Sequence, residues 1–288
     1  MTSTLLDLSG KIDPLTISVL NQIQQVTSDE RIPFFVVGAT ARDILLQVAH
    51  QIDSGRATAD IDIAVFLEDW TRFEGVKQSL IQSKDFEQGR EIQRLIYRDQ
   101  MPVDIVPFGG ISEADGRISW PPDGSFKMSV AGFEECYRHS IPVRLAKEPD
   151  LLVQVVSLAG LAILKLISWD DNTDRRGRDA PDLFFIIRNY LNAGNLDRLF
   201  REGADIIEAD SYDYEQGSAR FLGRDMSGIA STSTKETLIK ILERESLRDQ
   251  GHRLAMDVLK SDQSASFDYD RTVALFDHLL KGLIEAKG

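Results

Sequence analysis

Two short stretches of the sequence hold acids where acids are costly. Asp60 and Asp62 stand two apart at the head of Ile61-Asp62-Ile63-Ala64-Val65-Phe66-Leu67, a β-branched and apolar run that predicts a strand. Residues two apart on a strand leave the same face, so both carboxylates project together. Side by side they repel unless a cation lies between them, and hard oxygen donors suit Mg²⁺ or Mn²⁺, with water and phosphate oxygens completing the shell. The plain alternative is an exposed strand end or a turn. Against it, an unpaired carboxylate flanked by Ile61 and Ile63 would be expensive to bury. Asp104 repeats the pattern within Val103-Asp104-Ile105-Val106. No Lys or Arg is close to it along the chain, so a metal shared with Asp60 and Asp62 is its expected partner; a hydrogen-bonded structural acid is the alternative. Three converging acids can hold two divalent ions, the arrangement of in-line phosphoryl chemistry.

Upstream, Val37-Gly38-Ala39-Thr40 joins a strand to a helix. Such a turn presents backbone N–H groups and the positive end of a helix dipole to an anion, and Thr40 is placed to cap the helix and offer its hydroxyl to a phosphate. A simple helix start is the plainer reading. Further on, Lys165 interrupts Leu161-Ala162-Ile163-Leu164-Lys165-Leu166 and reads as a lysine whose stem lies on the core while its ammonium reaches water. Asp179 and Asp182, three apart, share a helix face as a first-turn charge pair or as groups that orient Lys165 or an acceptor. Arg175, Arg176 and Arg178 form a basic cluster, either a solvated loop or a contact for phosphates. His50, His139, His252 and His278 show no metal-ligand spacing.

The elements that must position these groups change character midway. Residues 14–29 predict a helix, 32–37 a strand, a helix begins near Thr40, and 61–67 is a strand followed by a helix over 70–83. Two strands, 93–98 and 103–108, flank a turn at Asp99-Gln100-Met101-Pro102; 109–130 is loop with room for a hairpin, and 142–146 a last strand. Beyond Pro149 the pattern turns helical: 150–169, 180–192, 195–209, 234–248, 251–260 and 269–285. The expected fold is α/β (α+β), a mixed-sheet domain over residues 1–149 followed by a helical domain over 150–288.

The chain has 288 residues, 42% of them hydrophobic, and a net charge of −13, which argues against a protein that coats nucleic acid and suits a cationic substrate. A single cysteine, Cys136, excludes an internal disulfide and any CxxC-type metal cluster. The N-terminal residues show no secretory signal, and the most apolar window, Leu151–Trp169, is broken by Gln154 and Lys165 and reads as a buried helix. A cytoplasmic protein without membrane association is the expectation.

The ordered set Gly38-x-Thr40, then Thr58-Ala59-Asp60-Ile61-Asp62-Ile63, then Val103-Asp104-Ile105, resembles the nucleotidyltransferase superfamily of the polymerase-beta type. Lys165 followed by Arg175, Arg176, Arg178-Asp179 and Asp182-Leu183 is similar to the AbiEii-type abortive-infection toxin branch, and Gly38-Ala39-Thr40-Ala41-Arg42-Asp43 resembles the Gly-Gly-x-x-Arg-Asp of tRNA CCA-adding enzymes. The resemblance implies transfer of an NMP from an NTP to an acceptor hydroxyl, with the active site in the cleft between the two domains. Asp60, Asp62 and Asp104 would be metal ligands. Lys165 and Asp179 join them as catalytic residues, and Gly38, Ala39, Thr40, Arg42 and Lys165 would bind the nucleotide. It also implies RNA or tRNA as acceptor and a separate antitoxin protein. A small cationic acceptor, as in aminoglycoside nucleotidyltransferases, and a degenerate nucleotide-binding scaffold are the alternatives. Ala39 departs from the family's Gly or Ser, and the interval from Gly38 to Asp60 is longer than usual.

Overall fold

The computed structural model describes residues 5–55, 59–209, 212–247, 252–261 and 268–285. The chain divides into two compact units, Met1–Ser157 and Leu158–Gly288.

The first unit is built on an eight-stranded mixed sheet. In chain order its elements are β1 (Leu6–Asp7), α1 (Pro14–Asp29), β2 (Phe34–Val36), α2 (Gly38–Arg42, continued through Val48 by a wider π-helical turn), β3 (Ile61–Phe66), α3 (Trp70–Gln82), β4 (Phe86–Gln88), β5 (Arg94–Tyr97), β6 (Met101–Phe108), β7 (Arg117–Ser119), β8 (Lys127–Ser129), α4 (Phe133–Arg138), β9 (Ile141–Lys147) and β10 (Asp150–Val155). The strands lie in the order β1-β9-β10-β2-β3-β6-β5-β4, while β7 and β8 form a separate hairpin. At the centre, β3 runs parallel to β6 and antiparallel to β2, and β6 runs antiparallel to β5. β3 and β6 are buried because both are flanked by strands and rich in Ile, Val and Phe.

The apolar window at residues 151–169 is two elements and not one helix. In β10, Leu151, Val153 and Val155 are buried while Asp150 and Leu152 are exposed, an alternation of period two, and the strand pairs with β9. The expected domain boundary at residue 149 therefore moves to Ser157. Merging a strand with the helix that follows it hides the change of period.

The second unit is helical among the described residues: α5 (Leu158–Asp171), α6 (Arg176–Asn189), α7 (Leu196–Glu202), α8 (Ala204–Ile207), α9 (Tyr214–Ile229), α10 (Thr232–Ser246), α11 (Arg253–Ser261) and α12 (Tyr269–Glu285). Sequence reasoning missed α9, because Gly217, Gly223 and Gly228 lower its helix propensity. Two glycines explain why the helix survives. A Cβ on Gly223 would overlap the Leu279 carbonyl oxygen, and one on Gly282 would overlap the Arg220 carbonyl oxygen, so α9 and α12 touch backbone to backbone. No helix among the described residues is long and apolar enough to cross a membrane. Either Gly223→Val or Gly282→Val should cost about 1–3 kcal/mol or more, measured by urea unfolding, because neither backbone carbonyl can give way. Gly228→Ala, where a Cβ meets nothing within 4 Å, should be neutral or stabilising.

Candidate active site

Strand register brings the acids together. Asp62 on β3 is the Cα partner of Asp104 on β6, and Asp104 is in turn the partner of Arg94 on β5. Cross-strand partners share a face, so Asp62, Asp104 and Arg94 form one row across three strands. Asp60, two residues before Asp62, reaches the same place. Carboxylate oxygens of Asp60, Asp62 and Asp104 all lie within 4.8 Å of one another; Asp104 is buried and the other two are half-buried.

The expectation that Asp104 has no basic neighbour is corrected here. Arg94, ten residues upstream, donates from Nε to Oδ1 and from Nη2 to Oδ2 of Asp104, both at 2.7 Å, and from Nη2 to Oδ2 of Asp60 at 3.3 Å. The hydrogen bonds to Asp104 hold the guanidinium pKa above its ordinary value, against a smaller opposing effect of burial. The β5–β6 hairpin creates this pair, and the signal that points to it is the antiparallel register of two strands joined by a short turn.

Gly38 adjoins the row from the other side. Its φ is +62°, and a Cβ there would overlap the Asp62 carboxylate. The Val37 N–H donates to the Asp62 carbonyl oxygen at 3.0 Å, which stitches the turn to β3. Thr40 does not cap the helix: the capping position is Val37, and the Thr40 hydroxyl donates to the Asp60 carbonyl oxygen at 3.0 Å. Thr40 thus fixes the backbone of the first acid, and its one proton is committed there. Ala39 is half-buried in the turn, while Arg42 is buried and binds Asp43 through Nε and Nη2 at 2.9 and 2.8 Å. Thr58 lies outside the described residues. A cavity of about 570 Å³ opens beside Thr40 and Asp60, bordered by Asp13, Asp43 and Lys11 and floored by Ile12, Ile44 and Val48.

In the second unit, Lys165 does not reach for water. Its ammonium is buried between Asp179 Oδ1 at 2.8 Å and Asp182 Oδ2 at 2.9 Å, and the Ser168 hydroxyl donates to Asp179 Oδ2 at 2.7 Å. The three-residue spacing of the acids on α6 puts both on the face that meets α5. The arginines do not act as one cluster: Arg176 donates from Nε to the Trp169 carbonyl oxygen and lies over its ring, whereas Arg178 is exposed. The side chain of Arg175 lies outside the described residues.

The donor set around Asp104 suits a hard divalent cation. It is all oxygen, its three carboxylates are within bridging distance of one another, and the guanidinium already drawn onto two of them shows where positive charge is stabilised. A mixed sheet that presents such a row beside a glycine turn can hold a divalent ion next to an anion such as a phosphate. The chain belongs to the nucleotidyl transferase AbiEii toxin family of type IV toxin–antitoxin systems, which matches residues 22–268. No curated protein matches. Among solved structures, the antibiotic-resistance factor ANT(2'')-Ia is 14% identical, with 68% of this chain and 97% of that chain covered at a TM-score of 0.37. The Thermotoga maritima CCA-adding enzyme complexed with tRNA is 13% identical, with 96% and 83% covered at a TM-score of 0.32. The assignment rests on the family match.

Two outcomes follow from this geometry. Gly38→Ala should lower stability by about 1–3 kcal/mol, through the left-handed φ and the displaced Asp62 side chain, read by thermal melting. The second concerns Lys165: burial alone would pull its pKa down, but Asp179 and Asp182 outweigh burial and raise it above 10.5. A folded-state value above the unfolded one means that the ion pair's contribution is whole below pH 10.5 and is lost as pH climbs through the raised folded value. Lys165→Met should cost about 3–5 kcal/mol near neutral pH, because two buried acids lose their cation. Stability measured by urea unfolding of mutant and wild type should then converge as pH is raised to the alkaline end.

Proposed function

We propose that this nucleotidyltransferase moves an NMP from an NTP to a hydroxyl of RNA, tRNA foremost, in a divalent-ion-dependent reaction in the cytoplasm, as the toxin of a pair with a separate antitoxin. The observation that carries the reading is the row of Asp60, Asp62 and Asp104 beside the Gly38 turn. In the transfer, the acceptor oxygen bonds to the α-phosphorus, the bond from that phosphorus to the bridging oxygen breaks, and pyrophosphate leaves. Asp60, Asp62 and Asp104 would hold a divalent ion, Mg²⁺ or Mn²⁺, which would supply charge to the triphosphate and ease loss of the acceptor hydroxyl proton to solvent. Asp60 and Asp62 hold the nucleotide-side charge in place, and Asp104 faces the acceptor hydroxyl. Gly38 keeps the turn close to Asp62, so that the backbone of Gly38 and Ala39 lines the triphosphate, with Thr40 holding Asp60 in register and Arg42 fixing the following turn through Asp43. Lys165 is already engaged by Asp179 and Asp182, so its part is to hold α5 against α6 within the second unit. Exposed Arg178 is assigned to the acceptor backbone.

A small cationic acceptor is the second reading. It is favoured by the net charge of −13 and by the cavity beside Asp60, where Asp13 and Asp43 outnumber Lys11.

The test incubates the protein with each labelled NTP and Mg²⁺, once with total RNA and once with aminoglycosides. Label in tRNA-sized RNA, abolished by EDTA and reduced on the order of a thousandfold in Asp60→Asn or Asp62→Asn, is the expected result. Label in the aminoglycoside alone selects the second reading. No transfer to either, with NTP still bound, would identify a degenerate scaffold.

A further inference from the structure

The position of Arg94 has a consequence for how the acidic row is switched. Its fork engages both oxygens of Asp104, and the same Nη2 reaches one oxygen of Asp60, so the guanidinium holds two of the three carboxylates that would bind a divalent ion. An arginine cannot vacate such a place by losing its proton, as a lysine can; it leaves only by moving. The surroundings allow that movement. The Arg94 side chain is 28% exposed, and the carboxylate of Glu91, 48% exposed, lies 4.0 Å from its Nε as a second acidic partner. Its stem is seated at Gly89, where a Cβ would come within 2.8 Å of the Arg94 Cγ, so the resting position is built into the β4–β5 connection.

We infer that Arg94 is a displaceable internal cation: it holds the acidic row together when no metal is bound and competes with the divalent ion for Asp104 and Asp60, so that metal loading requires its release. The inference rests on the metal-dependent reading above. Linkage gives its sign. An interaction made only in the metal-free state lowers the apparent affinity for metal by its own strength, so removing Arg94 must tighten metal binding. It must also weaken the metal-free fold, because three acids within 4.8 Å are then left to repel. Loss of pre-alignment acts the other way, but the register of β3 and β6 places Asp62 and Asp104 as backbone partners whether or not Arg94 is present.

The experiment titrates MnCl₂ into wild type and Arg94→Gln by calorimetry, and melts both in EDTA and in saturating Mn²⁺. Arg94→Gln is expected to bind Mn²⁺ about tenfold tighter or more, the displacement of a charge-assisted pair no longer opposing the ion. It should melt lower than wild type in EDTA and draw level in Mn²⁺. Arg94→Lys, which keeps a charge but not the fork, should fall between the two and serves if the Gln variant does not fold. Equal or weaker Mn²⁺ binding, or a melting deficit that persists unchanged in Mn²⁺, would show Arg94 to be a permanent structural partner of Asp104 and overturn the inference alone. Absence of Mn²⁺ binding in wild type and variants alike overturns the inference together with the metal-dependent reading.

Discussion

Mutual repulsion among three carboxylates held within 4.8 Å of one another is the constraint around which the first unit is arranged. Left in solvent such groups would swing apart; here backbone pairing prevents it. Asp62 and Asp104 are register partners on parallel strands whose other positions are all apolar, so neither backbone can move without disturbing a buried ladder. Three neighbours of the row relate to that charge. Arg94 supplies a counter-charge, Thr40 pins the Asp60 carbonyl, and Gly38 gives up a side chain so that the turn can approach Asp62.

The second unit solves the opposite problem. There a single buried ammonium, Lys165, lies between two acids, Asp179 and Asp182, and all three are largely out of water. A cation so enclosed keeps its charge because each carboxylate offsets part of the desolvation cost. The contrast between the two sites is one of access. The acidic row keeps two members half-buried and its counter-cation partly exposed, so its charge is exchangeable; the Lys165 site is closed and fixed.

Much of the site was legible in the chain because it depends on local pattern. Asp62 and Asp104 stand out as carboxylates inside apolar strands, and Asp60 stands two residues before Asp62, immediately ahead of β3. The spacing of Asp179 and Asp182 marks a shared helix face for the same reason. The long amphipathic helices, α1, α3 and α12, were readable within a residue or so of their ends, since a 3.6-residue period over four turns is a strong signal. Two of the places the pattern misjudged are β10, which runs directly into α5, and α9, whose glycines argue against a helix.

Residue types and spacing by themselves determined that acids would be embedded in a sheet, that a glycine turn would precede them, and that the chain would end in helices. Only the tertiary structure decided which charges meet. Arg94 faces Asp104 because a hairpin folds β5 back on β6, and Lys165 is buried because α6 closes over α5. The tolerance of Gly223 and Gly282 likewise depends on a helix more than fifty residues away along the chain. Periodicity is a property of neighbours along a chain, whereas ion pairs and backbone contacts are properties of distance in space. Closing the long loops between them is what folding alone accomplishes.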